Sequence, residues 1–175
     1  MNNTKWIILT LAALWVALTA AIGNPPSVET NIAAKEGFAA PPFELMTLSG
    51  DATNLKDLNG HTVILNFWTS WCPPCKAEMQ AMQNIQNRYR EQGVIVLAVN
   101  VTSQDNLNDV KSFITELDIS LSIPLDIDGS IAEAYRVQAF PSTYFIDTDG
   151  VIRKIIIGGP LSETVIASTI SELID

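Results

Sequence analysis

From Thr62 to Thr69 the chain reads Thr-Val-Ile-Leu-Asn-Phe-Trp-Thr, and soon after that run it places both of its cysteines, in Cys72-Pro73-Pro74-Cys75. A run of apolar and β-branched residues like this one, interrupted only by Asn66, is a strand buried on both faces. The two prolines cannot extend it, because each lacks an amide donor. They suit the first turn of a helix, where N–H groups have no intrahelical partner. Met79, Met82, Ile85 and Tyr89 then recur on one face of a helix that the spacing predicts over Pro73 to Arg90, with Gly93 as its stop. A buried strand that feeds straight into a helix, with cysteines at the joint, limits the chain to architectures in which helices cover a central sheet.

The remaining pattern agrees. Val94 to Val101 is a second buried strand, and Asn106 to Leu117 is helical, with Leu107, Val110, Phe113, Ile114 and Leu117 at helix spacing. Ser130 to Tyr135 is a short helix after Asp128-Gly129. Ser142 to Asp147 is a strand, Thr148-Asp149-Gly150 a hairpin turn and Val151 to Ile157 its partner. Ser162 to Ile174 is a last helix with Ser162 as its N-cap. Upstream, Phe43 to Leu48 alternates in part and stops at the turn Ser49-Gly50-Asp51. The order predicts an α/β fold, a mixed central β-sheet flanked by helices.

The amino terminus is different. Trp6 to Ile22 is almost wholly apolar, and no charge occurs from Trp6 through Val28. As a helix this run is about 25 Å long, at the short end for a hydrocarbon core of about 30 Å. It is longer than the apolar region of a signal peptide, roughly 7–15 residues, although Ala21-Ile22-Gly23 offers a cleavage site. An uncleaved N-terminal membrane-anchor helix over residues 1–23 is the expectation; cleavage would give a secreted protein. Lys5 before the run places the terminus in the cytoplasm and the bulk of the chain outside. Residues 24–40, with Pro25 and Pro26, read as a linker, and residues 41–175 as the globular domain. The net charge of −9, from 10 basic and 19 acidic residues, with no basic cluster, argues against a nucleic-acid partner.

The paired cysteines admit several chemistries. A tetrahedral zinc site needs four ligands, and the chain offers two Cys and the single His61. A copper carrier would use soft sulfur with His61. A structural staple closing so short a loop would stabilise little. The local physics suits redox exchange best. Cys72 stands where a helix begins, beside unpaired N–H groups and the positive dipole end, which favour the attacking thiolate. Cys75 lies one turn further in, more buried, and placed to attack a mixed disulfide that Cys72 makes. Outside the cytoplasm, disulfides persist and need managing.

Asn66-Phe67-Trp68-Thr69-Ser70-Trp71-Cys72-Pro73-Pro74-Cys75-Lys76-Ala77-Glu78, followed by Ala139-Phe140-Pro141-Ser142-Thr143-Tyr144-Phe145-Ile146-Asp147, resembles the thioredoxin superfamily. More narrowly, it resembles the membrane-anchored, extracytoplasmic TlpA/ResA-type thiol–disulfide oxidoreductases, over Ala40 to Asp175. The resemblance implies a thioredoxin-like (redoxin) fold and no cofactor beyond a redox-active Cys72–Cys75 disulfide. It implies Cys72 as nucleophile, Cys75 as resolving thiol, and a cis peptide bond before Pro141, against a trans proline opening a strand. Phe140 would leave its backbone open to a substrate chain. Trp71 and Trp68 would frame the site with Pro73 and Pro74, core packing being the plainer reading of Trp68. Protein disulfides, such as those of apocytochrome c or envelope and spore proteins, are the implied substrates, and a membrane thiol transporter the implied electron donor.

One departure stands out. The buried acid that thioredoxins place six residues before the first cysteine is Asn66 here, and Asn exchanges no proton near neutrality. The TlpA/ResA type instead places a carboxylate at Glu78, one helical turn beyond Cys75. A partly buried Glu78 with raised pKa would relay protons; the bland alternative is an exposed Glu paired with a basic residue. A peroxidase of the peroxiredoxin group shares Thr69-x-x-Cys72, but Leu65 occupies the place of its expected proline; a non-enzymatic holding module using the open Pro141 edge is the other alternative beside the copper carrier. Asp126-Ile127-Asp128-Gly129 and Asp147-Thr148-Asp149-Gly150 lack the further ligands of a calcium loop and read as turns and caps. The sequon Asn100-Val101-Thr102 starts in a predicted strand, which counts against its use.

Overall fold

The computed structural model describes residues 31–174. The expected anchor, Trp6 to Ile22, lies outside them; among the described residues no helix is long and apolar enough to cross a membrane.

The buried run forms β3 (Thr62–Trp68), the centre of a four-stranded sheet, after a small antiparallel pair, β1 (Glu44–Met46) and β2 (Ala52–Asn54). β4 (Val94–Asn100) lies parallel to β3, a pairing that requires a crossover. Helix α1 (Pro73–Tyr89) supplies it, and Gly93, at φ 78°, takes the left-handed turn that leads into β4. On the other side of β3 run β5 (Ser142–Ile146) and β6 (Ile152–Ile157), both through antiparallel pairings, giving the order β4-β3-β5-β6. Helices α2 (Leu107–Glu116), α3 (Ser130–Ala134) and α4 (Glu163–Ile174) complete a thioredoxin-like α/β fold.

Strand alternation divides the core into two clusters. Ile64 and Trp68 of β3 pack with Met79, Met82 and Ile85 of α1, Phe113 of α2 and Ile166 and Ile170 of α4. Val63, Leu65 and Phe67 face the opposite cluster, which holds Phe43, Tyr135, Tyr144 and Ile152. Asn66 shares the parity of Ile64 and Trp68, so its amide is directed into the α1 side of the core.

Two segments differ from the sequence reading. Within the segment read as linker, residues 31–40 pair with the domain: Gly37 N–H donates to Ile152 O at 2.8 Å, Ile152 N–H to Phe38 O at 2.9 Å, and Ile155 N–H to the Glu36 carboxylate at 2.8 Å. These contacts cover part of the β6 edge, which an unpaired strand would otherwise expose. The second segment runs from Ser122 to Leu125, between β4 and β1. Ala98 and Asn100 donate to Ser122 O and Pro124 O, and Leu48 N–H donates to Ile123 O. Pro124 hides this stretch from pattern reading, since proline demotes a strand assignment.

Tyr135 ties the amino-terminal part to the second cluster. Its hydroxyl donates to Pro41 O at 2.7 Å, and its own carbonyl accepts from the Tyr144 hydroxyl at 2.6 Å, all buried. Burial pushes the pKa of both phenols up. Replacing Tyr135 with Phe leaves the Pro41 carbonyl without its donor. We expect a loss of about 1–2 kcal/mol, read as a lower urea midpoint at unchanged m-value; an unchanged midpoint would show that this hydrogen bond contributes nothing net.

Candidate redox site

Cys72 is the N-cap of α1, with extended backbone at φ −91° and ψ 108°, and Pro73 and Pro74 open the helix. The Cys72 Sγ accepts the Cys75 N–H at 3.2 Å, so sulfur occupies the cap that a Ser or Asp oxygen usually fills. The two cysteines form a disulfide with Cα atoms 5.3 Å apart. Cys72 is 3% exposed and Cys75 is fully covered.

Around this bond stand most of the residues picked from sequence. Trp71 is 59% exposed and its indole N–H donates to Gln104 O at 2.8 Å. Its ring meets half-buried Phe140 edge-on, centroids 5.8 Å apart at 78°. The Phe140–Pro141 peptide is cis, as the resemblance implied. Trp68 does not frame the site: it is fully buried, donates to Ala98 O at 3.0 Å and stacks on Phe113, which is the core role.

Glu78 is neither partly buried nor paired with a base. It is 1% exposed, one turn beyond Cys75 on the buried face of α1. Asn66 Nδ2 donates to its Oε1 at 2.8 Å and the Leu161 N–H to its Oε2 at 2.8 Å. The same Asn66 amide nitrogen donates to Thr143 Oγ1 at 3.0 Å, across the β3–β5 pairing in which Asn66 faces Thr143. Burial raises the Glu78 pKa above the ordinary 4.5; the Leu161 N–H and then the Asn66 amide pull it back only in part.

Sequence reading missed the Gly158–Leu161 turn. The Gly158 N–H donates to Pro141 O at 2.8 Å. A Cβ on Gly159 would lie 2.7 Å from Glu78 Oε2 and 2.7 Å from Pro141 Cγ. Gly-Gly-Pro marks a turn in sequence, but nothing local says that it closes over a carboxyl from a distant helix.

Other candidates separate from the site. His61 precedes β3, whereas the cysteines follow it, and seven residues of strand span about 20 Å. The structure therefore does not bring His61 to the sulfurs. Asp126 accepts the Ile131 and Ala132 N–H groups, Asp128 accepts Ser130 N–H, and Asp147 accepts Asp149 and Val151 N–H. These are caps and turns. Asn100 of the sequon is fully buried, with its amide given to Trp68 O and Asp105.

A thioredoxin-like sheet whose first long helix starts on a Cys-x-x-Cys disulfide defines a thiol–disulfide oxidoreductase, and the relatives of the chain agree. The AhpC/TSA family matches residues 37–155, and the chain belongs to that family, on its thioredoxin-like side. It is 37% identical over 155 residues to the thioredoxin-like protein YneN of Bacillus subtilis, covering 88% of this chain and 90% of that one. It is 37% identical over 163 residues to the thiol-disulfide oxidoreductase ResA of Geobacillus thermodenitrificans, covering 93% and 90%. Among solved structures it is similar to the exposed lipoprotein thioredoxin Etrx1 of Streptococcus pneumoniae, with TM-score 0.69, 31% identity and coverage of 76% of this chain and 100% of that one. StoA from Bacillus subtilis matches with TM-score 0.65 and 29% identity, over 77% and 97%.

Two outcomes follow from the geometry. Because the folded pKa of Glu78 is raised, its stabilising share is complete below 4.5, the unfolded value, and is lost as pH rises through the folded value. The oxidised parent should therefore lose stability over that rise, while Glu78→Gln lacks this loss; urea midpoints of both proteins across the range should diverge in favour of the variant with rising pH. Parallel curves would place the folded pKa at its ordinary value. Gly159→Ala should destabilise by about 1–3 kcal/mol, since the added methyl meets the Pro141 ring and a fixed carboxyl; a thermal scan with no shift would show that the turn yields freely.

Proposed function

We propose that the chain reduces disulfides of exported proteins on the outer side of a membrane, with Cys72 attacking, Cys75 resolving and Glu78 taking the resolving proton. The observation that carries this reading is the carboxyl buried one turn beyond the inner cysteine, with its proton affinity raised by burial.

In the reduced protein, the Cys72 thiolate attacks one sulfur of the substrate disulfide. A Cys72–substrate bond forms, and the other substrate sulfur leaves as a thiolate and takes a proton from water, into which Cys72 had released its own. Cys75 then passes its proton to Glu78 and attacks Cys72 Sγ. The Cys72–Cys75 bond forms, the second substrate sulfur leaves, and Glu78 returns its proton to it directly or through water. Two electrons and two protons reach the substrate and the protein ends as the disulfide. The helix start favours the Cys72 thiolate, whereas burial disfavours that of Cys75; the second step therefore needs the base. Asn66 orients Glu78 and takes no proton itself.

No cofactor beyond this cysteine pair is required. The uncharged run after Lys5 supports an anchored, extracytoplasmic domain, and the word exposed in the name of the Streptococcus pneumoniae relative agrees with that side. A domain that reduces there needs electrons from across the membrane, for which a membrane thiol transporter is the fitting donor. Apocytochrome c and envelope or spore proteins fit as substrates by the resemblance.

Cys75→Ser should trap substrate as a mixed disulfide on Cys72. Glu78→Gln should form that mixed disulfide at the parent rate and resolve it roughly 10²–10⁴-fold more slowly, with one titration missing from the pH profile. Quenched exchange separated by mass distinguishes the two steps. Resolution at the parental rate and pH profile would reduce Glu78 to a structural acid.

A further inference from the structure

Asp105 lies in the turn between β4 and α2, and sequence patterning singles it out for nothing. Its carboxylate accepts four hydrogen bonds. Oδ2 takes the Ser70 N–H at 2.6 Å and the buried Asn100 Nδ2 at 2.8 Å. Oδ1 takes the Ser70 hydroxyl at 2.5 Å and the Asn106 N–H at 2.8 Å. A carboxylate has about four acceptor positions, so every one is in use. Charge-assisted bonds of this length are the strong kind. The preceding residue, Gln104, holds the indole N–H of Trp71 through its carbonyl. Asp105 and Gln104 together fasten both residues that lead into Cys72.

That fastening has a purpose that core packing does not require. Ser70 is half-buried and Trp71 is largely exposed, so little apolar burial holds this turn in place. Yet Trp71 is the exposed aromatic beside the disulfide, and its edge meets Phe140, the residue whose backbone would meet a substrate chain. An exposed indole left free would have to be ordered at each encounter, at a cost to affinity.

We propose that Asp105 is a positioning residue for protein substrates: it holds Ser70 and Trp71 as a preformed recognition edge beside Cys72. This rests on the exchange reading above and adds which residue readies the docking face. Asp105 touches neither sulfur in the contacts seen, so its effect belongs to substrate binding and the first exchange step. Resolution by Cys75 and Glu78 depends on the other end of the site.

The test is reduction of a disulfide-containing protein by the full chain, in the steady state with a small dithiol as reductant and in a single turnover with the pre-reduced protein. Asp105→Asn places an NH2 group against donors whichever way the amide turns, and should raise KM about tenfold, ~1.4 kcal/mol in binding, with kcat and the resolution rate within twofold of the parent. Ser70→Ala, a smaller change that tests the same contact if Asp105→Asn folds poorly, should raise KM in the same direction. Ser70→Thr, which keeps the hydroxyl, should restore the parental KM. With a small, flexible disulfide as acceptor, which makes no use of the Trp71 edge, all three should match the parent. Loss of melting temperature with unchanged KM, or a fall in kcat at constant KM, would make Asp105 a structural residue and overturn the proposal. A parent that exchanges no protein disulfide would overturn the functional reading and this one together, whereas a normally active parent beside variants of unchanged KM would overturn this one alone.

Discussion

The carboxyl of Glu78 is the group around which this fold is arranged. A carboxyl in an apolar core needs donors, or it stays protonated at a cost to its function as a base. Here the donors come from two remote places: the Asn66 amide from the central strand and the Leu161 N–H from the turn before the last helix. Asn66 is in turn linked to Thr143 on the neighbouring strand. One side chain on α1 thereby binds together β3, β5 and the entrance to α4. Moving any of these elements would leave a buried polar group without its partner, at a cost of about 1–3 kcal/mol for an unsatisfied group. The supply is also limited. Two hydrogen bonds do not offset the burial, and the proton affinity stays raised, which is the state a proton relay needs.

The same helix sets the two sulfurs apart. Cys72 lies at the cap, where the first N–H groups have no intrahelical partner and its own sulfur accepts one of them. Cys75 lies one turn in, fully covered by the cluster that also holds Met79 and Met82. Identical side chains thus receive opposite electrostatic treatment over three residues. In the proposed exchange, backbone dipoles at the cap favour the thiolate of the outer sulfur, and burial disfavours that of the inner one until a base is at hand. Reading these roles needs no feature of the wider fold, only the place of each residue relative to the helix start.

Much of this was legible in the sequence because it is local. Period-2 alternation in Thr62 to Trp68 places Asn66 on the side of Ile64, and the 3.6 period of α1 places Glu78 on the side of Met79 and Met82. The strand, both cysteine environments and the helix therefore follow from neighbours in the chain. What stayed hidden is long-range. Gly159 and Leu161 reach Glu78 across 81 and 83 residues of chain, and Asp105 reaches Ser70 across 35. No periodicity carries such pairings. Trp68 and Trp71 illustrate the boundary. They flank the same turn, yet one is buried against Phe113 and the other is exposed over Phe140, and strand parity decides only for the first. The segment at Ser122 to Leu125 failed for another reason: it is held by pairing on both sides, and Pro124 masks the pattern that its neighbours would otherwise show.

Phe140 and Pro141 give these pieces a common hinge. The Phe140 ring touches Trp71, which Gln104 holds, while the Pro141 ring and carbonyl touch the Gly158–Leu161 turn, whose next amide holds Glu78. Adjacent residues therefore belong to two neighbourhoods, one facing substrate and one facing the buried acid. Thiol exchange has the same division. Its first step depends on how a partner approaches the outer sulfur, and its second on how the inner sulfur loses a proton. The two neighbourhoods meet at this dipeptide through different atoms, the Phe140 ring on one side and the Pro141 ring and carbonyl on the other. On the proposed reading, residues around Trp71 are open to variation in partner preference, while Glu78 is fixed between Asn66 on one side and the Gly159–Leu161 turn on the other.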